Sequence, residues 1–191
     1  RIKKNGEVYK NVYALAKTLG QLGIDVVTGG GPGLMEAANS GHRAGSTKTK
    51  AHSIGLGIKL PKEQTFNKSL DHHETFMRFT NRLDQFMLLS NAVVVADGGV
   101  GTLLELFYTW QLVQTKKICS IPIILMGNMW PGLIDWLKKM PLKRKYFEKE
   151  DLNLLFLAKD YKEVLNIIEE VHGEFKKGKK DFCLNYKKYK F

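Results

Sequence analysis

Cysteine is nearly absent: 191 residues contain two, Cys119 and Cys183. A disulfide scaffold is therefore not expected, and a reducing, cytoplasmic setting is the expected one. Neither cysteine has a partner at ligand spacing, which excludes a cysteine–histidine zinc site. No apolar run reaches the roughly 20 residues that a membrane helix needs. The opening Arg1-Ile2-Lys3-Lys4-Asn5 has no hydrophobic stretch behind it that reads as a signal peptide. Internal repeats and linkers are lacking too. What is present suits one globular domain: 43% hydrophobic, 10% aromatic and 26% charged residues.

Acidic residues are outnumbered, and the net charge is +11. Residues 176–191, KKGKKDFCLNYKKYKF, carry seven lysines and one aspartate, so more than half of the excess sits in the tail. Such a tail is either a solvated end or an arm for an anionic partner. Tyr186, Tyr189 and Phe191 interleave with its lysines, which would also suit docking on a neighbouring subunit. The rest is only moderately basic, and nucleic acid is not the expected partner. The chain divides into a nucleotide-binding domain, residues 1–175, and this basic tail.

Hydrophobic spacing predicts an amphipathic helix over Val8–Leu22, closed by Gly23. A β-branched run, Ile24–Thr28, ends in Gly29-Gly30-Gly31-Pro32-Gly33, and a helix follows over Leu34–Ala44. Ser53–Ile58 is the next strand, then an irregular polar stretch from Pro61 to His73. A helix is expected over Glu74–Leu89, with Phe76, Phe79, Leu83, Phe86 and Met87 facing inward. Asn91–Ala96 is nearly all apolar, as a strand buried on both faces would be. It breaks at Asp97-Gly98-Gly99-Val100-Gly101-Thr102, where a helix to Gln114 begins.

Pro122–Met126 and Leu154–Leu157 are further strands, Pro131–Lys139 a further helix. The closing helix runs from Asp160 to Phe175, with Asp160 and Glu163 in a capping-box pattern. This alternation predicts an α/β fold, a doubly wound parallel sheet with helices on both faces. Such a sheet opens with a strand, whereas a helix comes first here, so the chain is expected either to lack that first strand or to have it outside this sequence.

In open α/β sheets the C-terminal ends of the strands form the binding crevice. Both glycine turns fall at such ends and lead into helices, whose free N–H groups and positive dipole end suit a phosphate. Gly30, Gly31 and Gly33 of the first turn, and Gly98, Gly99, Val100, Gly101 and Thr102 of the second, are the candidate phosphate- or nucleotide-binding residues. Neither turn is a P-loop, since no Gly-Lys-Ser/Thr follows, and position 34 is leucine where GxGxxG needs glycine.

Glu105 follows Thr102 by three residues. It either complements the helix dipole in a first turn, worth roughly 0.3–1 kcal/mol, or serves a site beside the bound anion, which then needs a cation nearby. Arg82 is the candidate cation and Arg78 its rival. His72 and His73 are placed to line a pocket mouth; His42, His52 and His172 read as surface or packing residues. Met87, Trp110 and Trp136 read as core.

The stretch Asp97-Gly98-Gly99-Val100-Gly101-Thr102-Leu103-Leu104-Glu105 resembles the PGGxGTxxE signature of the Lonely Guy family, whose members are often mislabelled lysine decarboxylases. The stretch from Gly29 to Asn39, GGGPGLMEAAN, resembles its other hallmark. The similarity spans residues 1 to about 172.

The resemblance implies a Rossmann-like fold and a homodimer. It also implies hydrolysis of the N-glycosidic bond of nucleoside 5′-monophosphates to free base and ribose 5-phosphate, without cofactor or metal. The family's catalytic arginine, eight residues before the serine that opens the glycine-turn strand (Ser90), falls on Arg82, and its catalytic glutamate falls on Glu105. Two positions depart from the pattern: the family's proline is Asp97 here, and the lysine after the arginine is Leu83. The absent opening strand would also remove a glycine-serine turn that helps to build the pocket.

In such a reaction positive charge builds on the sugar and negative charge on the base. Glu105 would stabilise the cation and orient or deprotonate water. Arg82 would hold that carboxylate ionised, while amides from Gly99 to Thr102 would bind the 5′-phosphate. The alternative is a non-catalytic nucleotide or molybdenum-cofactor carrier on the same fold. Lysine decarboxylation through pyridoxal phosphate is rejected, because neither glycine turn nor the Arg82–Glu105 segment contains a lysine.

Overall fold

A computed structural model describes residues 6–61 and 65–176; residues 177–191 of the basic tail lie outside it. The chain forms two compact units, Arg1–Leu89 and Ser90–Phe191.

In the first unit, α1 (Glu7–Gln21) buries Val12, Leu15, Ala16 and Leu19, the positions that share one face at three- and four-residue spacing. Gly23 ends the helix with φ 74°, its N–H donating to the Gly20 carbonyl at 3.1 Å and the Ile24 N–H to Leu19 at 3.0 Å. Then come β1 (Val26–Thr28), α2 (Leu34–Gly45), β2 (Ser53–Ile58), β3 (His72–Phe76) and α3 (Phe79–Leu89). The three strands are parallel in the order β1-β2-β3, with Val27 opposite Ile54 and Leu56 opposite Glu74.

Helices α1 and α2 approach backbone to backbone. A Cβ on Gly41 would run into the Tyr13 carbonyl and one on Gly45 into the Lys17 carbonyl. One on Gly20 would lie 2.6 Å from the His42 carbonyl. His42 is fully buried on this helix, as a packing residue, and its Nε2–H donates to the Ile24 carbonyl at 2.9 Å.

Two expectations for this unit need correcting. The stretch expected to stay irregular to His73 ends in β3, and the helix expected from Glu74 starts at Phe79. Residues 72–75 are exposed and show no alternation of polar and apolar residues, so only pairing with β2 makes them a strand. Of the expected inward set, Leu83 and Met87 are buried, while Phe79 is 49% exposed and Phe76 belongs to β3.

The second unit contains β4 (Val93–Val95), α4 (Val100–Gln114), β5 (Ile123–Met126), α5 (Trp130–Leu137), α6 (Lys149–Leu152), β6 (Leu155–Ala158) and α7 (Tyr161–Lys176). Its strands are parallel in the order β4-β5-β6. The strand buried along its whole length is β5, not β4, where Val93 and Val94 are half-buried and Val95 is buried. Leu106, Trp110, Trp130, Ile134, Val164 and Ile168 supply much of the core.

Pro131 lies in the first turn of α5, which continues into a wide π-helical turn, Lys138–Leu142, containing Pro141. Trp136 is 53% exposed rather than core. The short α6 is tied to α4: the Trp110 indole N–H donates to the Asp151 carbonyl at 2.8 Å, and Gln114 Nε2 donates to its carboxylate at 3.1 Å. Asp160 caps α7 by accepting from the Lys162 and Glu163 amides, while Glu163 reaches back to Lys159 rather than to the cap residue.

The class is the expected one, α/β with parallel sheets flanked by helices. Cys119 is buried, and Cys183 lies outside the described residues. Among the described residues no helix is long and apolar enough to cross a membrane.

Candidate functional site

The first glycine turn connects β1 to α2, with Gly33 as N-cap residue at φ 79° and no side-chain cap. Its geometry is set by two asparagines. Asn39, fully buried on α2, accepts from Thr28 Oγ1 and from Asn67 Nδ2, both at 2.8 Å, and donates to Ser53 Oγ at 2.9 Å. Asn67 donates through its backbone N–H to the Gly30 carbonyl at 2.8 Å, and through Nδ2 to the carbonyls of Gly30 and Gly31 at 3.0 and 3.2 Å.

The Gly30 N–H donates to Thr28 Oγ1 at 2.9 Å, and the Phe66 ring lies against the Gly30 backbone. The backbone polar groups of Gly30 are thus engaged within the protein. Around Gly33 the surroundings are open. Sequence reasoning missed both asparagines. The available signal for Asn39 was its place as the last residue of the GGGPGLMEAAN stretch; Asn67 had none.

Arg82, on α3, is the residue this unit buries at the C-terminal ends of β1 and β2. It is only 9% exposed, whereas Arg78 is exposed. Its Nε–H donates to the Leu56 carbonyl at 2.6 Å, and its guanidinium stands 4.9 Å from the centre of the Phe86 ring. A charge is almost never buried without such partners. The next residue, Leu83, is 4% exposed, so the side chain that departs from the family pattern points into the core. His72 and His73 lie on the exposed strand β3, with rings 5.1 Å from His52 and 4.4 Å from Phe66 respectively. The His172 side chain lies outside the described residues.

In the second unit, the turn after β4 leads into α4 with Gly99 as N-cap residue, again without a side-chain cap. The amides of Val100, Gly101 and Thr102 are therefore the unsatisfied first-turn donors that a helix leaves at this end. Nothing crowds Gly99 or Gly101, and Val100 is 83% exposed. The Thr102 side chain folds back onto Gly98, where a Cβ would strike its hydroxyl. The Gly98 N–H meets the Met129 sulfur at 3.4 Å.

Asp97 turns toward the end of β5. Its Oδ1 is buried without a hydrogen-bond partner and occupies the space a side chain at Gly127 would need. Glu105 is the sixth residue of α4, half-buried, and its carbonyl accepts from Thr109 Oγ1 at 2.7 Å. It is not in the first turn, and the dipole's influence fades within that turn. Stabilising the helix start therefore does not account for it. Unit by unit, the structure builds an uncapped helix start bearing Glu105, and a buried arginine beside the first turn.

The family model described as "possible lysine decarboxylase" matches residues 35–168. The pyrimidine/purine nucleotide 5′-monophosphate nucleosidase of Escherichia coli (strain K12) is 28% identical over 130 residues, 63% of this chain. That stretch is 29% of the nucleosidase, so the chain spans under a third of that protein. Among solved structures, the molybdenum cofactor carrier protein of Chlamydomonas reinhardtii matches with TM-score 0.67 at 19% identity, covering 90% of this chain and 91% of its own. The molybdenum cofactor binding protein of Rippkaea orientalis matches with TM-score 0.65 at 20% identity and the same coverage. These two similarities establish the shared fold. The family-model match, covering well over half of the residues, means that this chain belongs to the lysine-decarboxylase-like family, to which its two glycine motifs pointed and which includes the Lonely Guy proteins.

Proposed function

We propose that this protein is a nucleoside 5′-monophosphate phosphoribohydrolase, releasing free base and ribose 5-phosphate. The observation that carries the reading is the start of α4: an uncapped helix N-terminus at the C-terminal end of a parallel strand, with Glu105 less than two turns along. The relative named for nucleotide 5′-monophosphate cleavage supports the same chemistry. The amides of Val100, Gly101 and Thr102 bind the 5′-phosphate through N–H donors and the helix dipole. Glu105 stabilises the positive charge that builds on the ribose as the N–C bond lengthens, and orients the attacking water. Arg82 is proposed as the second catalytic residue on the strength of the motif it occupies.

The test is chromatographic analysis of products after incubation with AMP, GMP, CMP and UMP. The expected result is free base and ribose 5-phosphate in equal amounts from at least one of them. Binding of monophosphates with no base released, or a pterin-like compound retained through purification, would establish the carrier reading instead.

We also infer a homodimer. Val100, Leu104 and Phe107 lie on one face of α4 and are 83%, 44% and 38% exposed, an apolar stripe on an otherwise core-forming helix. Leu104→Glu is expected to shift the protein from dimer to monomer mass in light scattering. A wild-type protein that is monomeric at every concentration rules this assembly out.

A further inference from the structure

Gly29 opens the first glycine turn, yet its backbone does not demand glycine: its φ lies outside the left-handed range that Gly30 and Gly33 adopt. The space above it does. A Cβ on Gly29 would stand 2.6 Å from Nη2 of Arg82 and 2.7 Å from the Met35 sulfur. The guanidinium thus rests on the Gly29 backbone. From elsewhere it is held by the 2.6 Å bond from Nε to the Leu56 carbonyl and by the Phe86 ring. Moving it off Gly29 strains or breaks that bond, because the guanidinium is planar and rigid. The backbone groups of Gly30, by contrast, are committed to Thr28, Asn67 and Phe66.

We infer that in this chain the first glycine turn is a seat for Arg82, with Gly29 as its positioning residue. This rests on the proposed hydrolase reading and gives the turn a role other than phosphate binding. Both groups that a methyl on Gly29 would meet are ends of flexible side chains, so Gly29→Ala should fold and displace the guanidinium. A misplaced catalytic group lowers turnover more than ground-state affinity.

The experiment is a double-mutant cycle of Gly29→Ala and Arg82→Ala, with kcat and KM measured on whichever monophosphate wild type cleaves best. Gly132→Ala serves as control, since nothing lies within 4 Å of a Cβ there. Gly29→Ala is expected to lower kcat about 10- to 100-fold, with KM within about twofold, in a protein that still folds but melts below Gly132→Ala because the Leu56 bond is strained. In the Arg82→Ala background it should change kcat by less than about twofold, because residues acting through one another are non-additive. A raised KM at unchanged kcat would return the turn to phosphate binding, and an equal loss in both backgrounds would remove the link to Arg82; either overturns the seat.

A second readout separates this inference from the activity. The Arg82 Nε–H, bonded to Leu56, should give a protected nitrogen–proton resonance that shifts or loses protection in Gly29→Ala. A shifted resonance in a protein that cleaves no monophosphate keeps the seat and discards the hydrolase. An unshifted resonance discards the seat.

Discussion

Glu105→Gln should lower the rate of base release from the preferred monophosphate about a hundred- to a thousand-fold, or about 3–4 kcal/mol of transition-state stabilisation. Glutamine keeps the size and hydrogen-bonding reach of the side chain and removes only its charge. The loss therefore reports on the carboxylate facing a developing cation. Glu105 lies beyond the first turn of α4, and its carbonyl is bonded to Thr109 in either variant, so the substitution leaves the helix start as it is. Steady-state kinetics check the expectation, with thermal melting to confirm an unchanged fold. Base release within threefold of wild type in a folded Glu105→Gln protein would refute the assignment.

Gly45→Ala should be the most damaging single methyl addition in the first unit. The added carbon meets the Lys17 carbonyl, a backbone atom of α1, so no rotamer change relieves the overlap. Gly41 faces the Tyr13 carbonyl one turn earlier on α2, and the two helices can separate only by giving up the burial of Leu15, Ala16 and Leu19. Overpacking of this kind costs about 3 kcal/mol, and for a chain of this size that lowers Tm by roughly 6–12 °C. Calorimetry on the purified variant measures it. A Tm within 2 °C of wild type would mean that the helices are not held at this separation.

The two predictions draw on different kinds of knowledge. Glu105 as a candidate was legible from residue order, because PGGxGTxxE-like spacing ties a glycine turn to a carboxylate. Its place in the helix was not. A two-residue difference in where α4 starts decides whether that carboxylate serves the dipole or stands beyond it, and helix starts are poorly marked when no Ser, Thr, Asp or Asn caps them. Gly41 and Gly45 gave no warning at all, since a glycine needed for a close crossing looks the same in sequence as one that is merely tolerated.

Asn67 and Phe66, which hold the first turn, sit in the stretch expected to be irregular, more than 30 residues from the glycines they touch. The placement of Arg82 is similar: Leu56 and Gly29 lie far from it along the chain.

From residue order alone came the parallel α/β class, β2 to the residue, both glycine turns with the helices they open, and the family. All of these rest on patterns within a dozen neighbouring residues, where periodic burial and turn chemistry act locally. Tertiary structure alone decided the edge strand β3, the exposure of Trp136, the crossing of α1 over α2 and the burial of Arg82. Each depends on a partner that only folding brings near, and a one-dimensional pattern carries no record of which distant backbone atom will fill a given space.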